Sequence, residues 1–200
     1  MGEVVASGRT ARGGRGAFAG RGGVRLAIVT THPIQYQVPW FRALAARREI
    51  ELTVGFAWLP DAASQGIGFT VPFQWDVPLT DGYRWERLPL ASRSPRLGPF
   101  FGLRLRDVAR WLRAGRFEAL LVTGWNSFSL VQAARAAKRL GLRVLVRGDS
   151  SDLAPRAAWK RLLHRRFLSM YDACLTVGSA NEAFYARFGV PASRRFRAPH

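Results

Sequence analysis

The chain has 200 residues, a formal net charge of +18 and a hydrophobic fraction of 48%. That length supports one domain with a proper core and room for tails, and a lone cysteine, Cys174, excludes an internal disulfide. No apolar stretch approaches the ~20 residues of a membrane span, and the first residues lack the apolar core of a secretory signal, so the cytoplasm is the expected compartment.

Lys138 and Lys160 are the only lysines among 31 basic residues. Abundant Arg, Ala and Gly together are what codon bias produces, so the charge alone argues weakly for a nucleic-acid partner. A basic surface still attracts phosphates and anionic headgroups whatever its origin.

Residues 1–23 are rich in Gly and Arg and poor in apolar side chains. Such a segment buries too little surface to offset its ordering entropy and is expected to be disordered; an RNA-binding tail is the sharper alternative. From residue 24 to 200, strand and helix patterns alternate. Val24–Thr30 reads as a strand, Pro39–Arg48 as a helix and Ile50–Trp58 as a second strand. Residues 59–100 carry many Pro and Gly residues and read as irregular, with a short strand near Tyr83–Arg87. A loop of that length suggests a functional or partner-facing segment.

Leu103–Ala114 is then predicted as a helix, Ala119–Thr123 as a strand and Ser127–Leu140 as a helix ended by Gly141. Arg143–Arg147, Ala157–Met170 and Ala173–Val177 follow as strand, helix and strand. Ser179–Phe188 closes the series as a helix, with Ser179 and Glu182 in a capping-box pattern, before a last strand over Arg194–Ala198. This alternation implies right-handed βαβ units: an α/β, Rossmann-like, three-layer domain with a parallel sheet. The abrupt stop after the last strand suggests a fragment.

Ligands of open α/β sheets bind beyond the carboxyl ends of the strands. That rule selects Thr30–Gln37, Thr123–Ser127, Arg147–Asp152 and Val177–Asn181. Neither a dinucleotide-type nor a P-loop-type glycine pattern is present, which disfavours NAD and P-loop NTPase chemistry. His32 titrates near neutrality and suits proton transfer or a hydrogen bond to a sugar hydroxyl or phosphate; a structural histidine at a strand end is the alternative. Gly124, Trp125 and Asn126 suit a carbohydrate platform, an indole face beside directional donors. A Trp125 that anchors the following helix is the other reading. Arg147 offers a cation for a phosphate and Asp149 an acceptor for hydroxyls, or the two form a local contact. Three histidines and one cysteine lack metal-ligand spacing. Cys174, in an apolar run, reads as a buried structural thiol. The basic run 160–166 contains His164, expected at the surface, and suits either a solvated helix face or contact with a membrane.

The stretch Thr31-His32-Pro33-Ile34-Gln35-Tyr36-Gln37-Val38-Pro39-Trp40-Phe41-Arg42 resembles the first strand–loop–helix of family 4-type glycosyltransferases. Further resemblances follow in order: Trp75–Leu79 with Gly82-Tyr83, Thr123–Ser127, Arg147–Ser150, Thr176–Tyr185, Phe188–Pro191 and Ala198-Pro199-His200. The resemblance implies the N-terminal, acceptor-side half of a two-domain GT-B enzyme. It further implies a nucleotide diphosphate sugar as donor substrate, no cofactor or metal, and retention at the anomeric carbon. Partners would be that nucleotide sugar, a glycan or small-molecule acceptor, and a C-terminal GT-B domain in cis or in trans. Contact with the inner face of a membrane is a candidate, and nucleic acid is not expected. Carried over to this chain, the substrate-binding positions are His32, Gln35, Tyr36, Gly124, Trp125, Asn126, Arg147 and Asp149, with His32 and Asp149 as candidate catalytic residues. Many relatives carry a histidine after the strand equivalent to Leu120–Thr123, where this chain has Gly124 and Trp125. A non-catalytic binding or assembly module, or a truncated remnant, is the alternative function.

Overall fold

The computed structural model describes residues 23–59, 78–150 and 158–199. The expected disorder of residues 1–22, most of the expected irregular segment before residue 78, and the expected helix start at Ala157 lie outside the described residues. Seven strands form one sheet in the order β3-β2-β1-β4-β5-β6-β7. They are β1 (Val24–Thr30), β2 (Ile50–Phe56), β3 (Trp85–Arg87), β4 (Ala119–Val122), β5 (Arg143–Arg147), β6 (Ala173–Thr176) and β7 (Arg195–Arg197). Every neighbouring pair is parallel. The helices are α1 (Val38–Ala45), α2 (Val108–Ala114), α3 (Phe128–Arg139), α4 (Ala158–Leu168) and α5 (Ser179–Arg187).

Alternation along the strands sends side chains to two faces. Ile28, Leu52, Val54, Phe56 and Leu121 pack with Phe41 of α1 on one face. Ala27, Val29, Leu120, Val122, Val144 and Val146 pack on the other with Leu112 of α2, Leu130 and Ala134 of α3, Leu168 of α4 and Phe184 of α5. The result is the three-layer, Rossmann-like architecture that the alternation predicts. Strand order runs one way from β1 to β2 and the other way from β4 to β7. Right-handed crossovers then place α1 and α3 on opposite faces, and a crevice opens between the carboxyl ends of β1 and β4.

Two local expectations change. The helix predicted over Leu103–Ala114 begins only at Val108. Leu103 and Leu105 are both buried while Arg104 and Arg106 are exposed, a period of two that belongs to extended chain. Leu105 bridges Leu90 antiparallel, and Gln132 of α3 satisfies both its N–H (2.9 Å) and its C=O (3.2 Å). Ser179 does not cap α5 with its side chain; Gly178 occupies the cap position. The turn is closed instead by Asn181, whose Oδ1 accepts the Val177 N–H at 3.2 Å. Among the described residues, no helix is long and apolar enough to cross a membrane.

Candidate functional site

At the base of the crevice two threonine hydroxyls and a glutamine amide form one hydrogen-bonded line. Thr30, at the end of β1, is fully buried. Its Oγ1 donates to Oε1 of Gln37 at 3.2 Å and accepts from Oγ1 of Thr123, beyond β4, at 3.0 Å. The Gln37 N–H donates to the Ile34 carbonyl at 2.9 Å, and the Gln37 carbonyl accepts the Phe41 N–H at 3.1 Å. The turn Ile34–Gln37 is thereby tied to the sheet below and to α1 behind it.

On this loop His32 is partly buried, and Thr31 Oγ1 lies 2.9 Å from its Nδ1. Burial holds the imidazole below the usual histidine range, favouring the neutral ring. A neutral ring that accepts from Thr31 at Nδ1 carries its proton on Nε2. Gln35 and Tyr36 lie on the exposed outer side of the turn, Tyr36 being 52% exposed. Partial burial and the Asp149 carboxylate push the Tyr36 phenol up, opposed by the Arg147 cation. It therefore remains a protonated donor at neutral pH.

The loops after β4 and β5 meet the first one. Gly124 is buried with φ of 123°, a conformation that disfavours any side chain. A Cβ on Gly148 would lie 3.7 Å from Gly124 Cα and 3.6 Å from Trp125 Cζ3, so the two loops touch. Trp125 is partly buried and packs among other rings. It stacks on Phe184 at 6.2 Å and 15°, and meets Tyr171, Tyr185 and His164 at 6.1–6.4 Å. Those rings stand on α4, on α5 and just before β6, not on α3, the helix that Trp125 was expected to anchor. Asn126 is exposed at the rim. The first N–H of α3, on Phe128, donates to the Phe100 carbonyl at 2.7 Å.

Arg147 ends β5 and is 7% exposed. Its Nη2 donates to the carbonyls of Ala198 and Pro199, each at 3.3 Å, and its guanidinium carbon lies 5.0 Å from the centre of the Trp40 ring. Asp149, two residues on, is exposed. The Tyr36, Arg147 and Asp149 side chains are close enough to act on one another electrostatically. Asn181 joins the third and fourth loops, its Nδ2 donating to the Ser150 carbonyl at 2.7 Å.

The expected residues thus divide into three groups. Tyr36, Arg147 and Asp149 gather at one mouth, with His32 on the same loop as Tyr36. Gly124 and Trp125 form the floor against Gly148. Gln35 and Asn126 sit on the rim. Asn181 lies in the segment Val177–Asn181 that the sheet-edge rule selects, whereas Trp40 and Tyr185, on α1 and α5, reach the loops only through the fold. His164, expected at the surface, is half-buried against Trp125, Phe184 and Phe188. Cys174 is fully buried, and burial pushes its thiol up to about 12. Among the described residues, no group of three His, Cys, Asp or Glu lies together in a way that holds a metal ion. The site offers a neutral imidazole, a phenol, a carboxylate and amides, a set suited to hydroxyl recognition and proton transfer.

A solved structure with this fold is a complex of a UDP-glucosyltransferase from Polygonum tinctorium, capable of glucosylating indoxyl, with 3,4-dichloroaniline. It superposes with a TM-score of 0.51 at 13% identity, over 88% of this chain and 51% of that one. The chain therefore spans about half the length of that enzyme, and the likeness is one of fold. Nothing among curated proteins matches the sequence. The model of the glycosyl transferase 4-like domain matches residues 35–199, from the turn of the first loop to the carbonyls held by Arg147. With the sheet order, the crevice and that match over most of its length, the chain belongs to the glycosyl transferase 4-like domain family.

Proposed function

We propose that this chain forms the acceptor-side half of a cleft in which a sugar passes from a nucleotide diphosphate donor to an acceptor. The observation that carries this is the convergence of Tyr36, Arg147 and Asp149 at the carboxyl edge of a sheet of this family, with His32 on the same loop as Tyr36. The neutral His32 or the exposed Asp149 takes the acceptor proton or orients its hydroxyl. Tyr36, Gln35 and Asn126 hold hydroxyls at the rim. The donor's diphosphate is bound chiefly by a second domain, in cis or in trans, so this half does not turn over by itself. No metal or cofactor is needed, and the reaction retains anomeric configuration. The compartment is the cytoplasm.

The test is an assay of the longest polypeptide its gene encodes against panels of nucleotide sugars and acceptors. Transfer that falls about 10²-fold or more on His32→Ala or Asp149→Asn supports the reading. No turnover of any donor, or transfer indifferent to both substitutions, overturns it.

A further inference from the structure

Between β3 and α2 the chain forms a loop whose base is closely hydrogen-bonded. The Ala91 N–H donates to the Arg104 carbonyl and the Arg106 N–H to the Pro89 carbonyl, both at 2.8 Å. Ser92 Oγ accepts the Arg104 N–H at 2.9 Å. Leu103 and Leu105 are buried beneath this base. The tip folds back through Gly102, whose N–H donates to the Pro99 carbonyl at 2.9 Å and whose carbonyl accepts from Arg96 at 3.2 Å. A Cβ at Gly102 would lie 2.1 Å from the Arg96 carbonyl oxygen, so only glycine fits.

This rigid mount raises an aromatic tip. Phe101 is 58% exposed. Its ring lies 4.8 Å from that of Phe100 and 5.3 Å from that of Phe128. Arg93, Arg96, Arg104 and Arg106 are all exposed around it. From residue 89 to 107 the only carboxylate is Asp107. The tip thus presents an apolar ring and four cations on one small, ordered surface.

From this geometry we infer that the 93–106 loop docks the protein on an anionic bilayer surface. Arginines meet the headgroups and Phe101 enters the boundary between headgroup and acyl chain, the combination that holds peripheral proteins at such surfaces. Nucleic acid suits the loop less well. Stacking along a strand uses successive exposed rings, and here Phe101 alone is exposed, Phe100 and Phe128 being partly buried beside it. Because the Phe100 carbonyl holds the Phe128 N–H, the patch adjoins the loop that carries Asn126. Docking would turn that rim toward the membrane. Resting on the proposed acceptor role, this places the acceptor on the bilayer surface; the docking itself does not depend on transfer activity.

The test uses the full chain with Phe101→Cys carrying an environment-sensitive fluorophore. Cys174 is fully buried and stays unlabelled. Vesicles of phosphatidylglycerol and phosphatidylcholine in equal parts should blue-shift the probe and co-sediment the protein, whereas phosphatidylcholine alone should do neither. Replacing Arg93, Arg96, Arg104 and Arg106 by Gln should weaken binding about fivefold per arginine. Phe101→Ser should weaken it further with an unchanged thermal melt. Three outcomes overturn the inference: no binding to the mixed vesicles; binding unchanged by these substitutions but lost on Arg165→Gln with Arg166→Gln; or an unshifted probe while the same arginines bind single-stranded RNA.

Discussion

At the scale of single residues, burial sets the charge state of a candidate side chain and the partners it meets. His32 is held neutral because its partly buried ring loses hydration when charged. The folded state therefore binds its proton less readily than the unfolded chain does. Stability should fall as pH drops below about 6.5, where the unfolded ring takes up a proton first. His32→Gln removes that term, so the variant should lose less stability than the wild type between about pH 7.5 and pH 5, read from denaturant midpoints. Arg147 shows the opposite allocation. Its Nη2 and its ring contact go to Ala198, Pro199 and Trp40. Arg147→Met should cost about 1–3 kcal/mol, because two carbonyls lose a charged donor. Arg147→Lys should recover part of it, since an ammonium donates to the carbonyls but does not stack as a plane on Trp40. Thermal melts of the two variants decide the order.

At the scale of elements, individual polar side chains join helices to strands. Asp172 binds Lys138 of α3 at 3.0 and 3.1 Å and accepts the Val144 N–H of β5 at 2.8 Å. Burial alone would raise its carboxyl, but these hydrogen bonds and the Lys138 and Arg143 charges bring it below the usual carboxylate range. Its contribution to stability is present above about pH 4 and lost as pH falls through the lower folded value. The melting temperature of Asp172→Asn should thus lie below wild type at neutral pH and converge with it in acid. The strands and most helices were legible because their periods are clean: β1 and β5 span Val24–Thr30 and Arg143–Arg147 as the pattern reads. Leu103–Arg106 was not, because its apolar positions also suit the start of a helix, and partners distant along the chain, Gln132 and the segment Pro89–Ser92, hold it extended.

At the scale of the molecule, Trp125 links the crevice floor to the helical layer. Its ring touches Phe184 and Tyr185 of α5 and His164 of α4. Trp125→Ala should cost about 3 kcal/mol, the range for truncating a packed aromatic, with a lower and broader melt. A platform role alone would weaken ligand binding and leave the melt where it was. The same packing explains why α4 is more than a solvated basic helix: His164 faces inward while Leu162, Arg165 and Arg166 face out.

What the amino-acid order determined by itself is the α/β class, the parallel sheet and the four loops at its carboxyl edge, because hydrophobic period and glycine placement are local properties. Which side chains within those loops meet is not local. The pairing of Thr30 with Thr123 follows from β1 and β4 lying side by side, 93 residues apart in sequence. The capture of Ala198 by Arg147 follows from β5, β6 and β7 standing in line. Only the tertiary structure decided that Arg147 would hold backbone, that Trp125 would face rings, and that Phe101 would be left outside. Each outcome depends on what the rest of the chain had already buried.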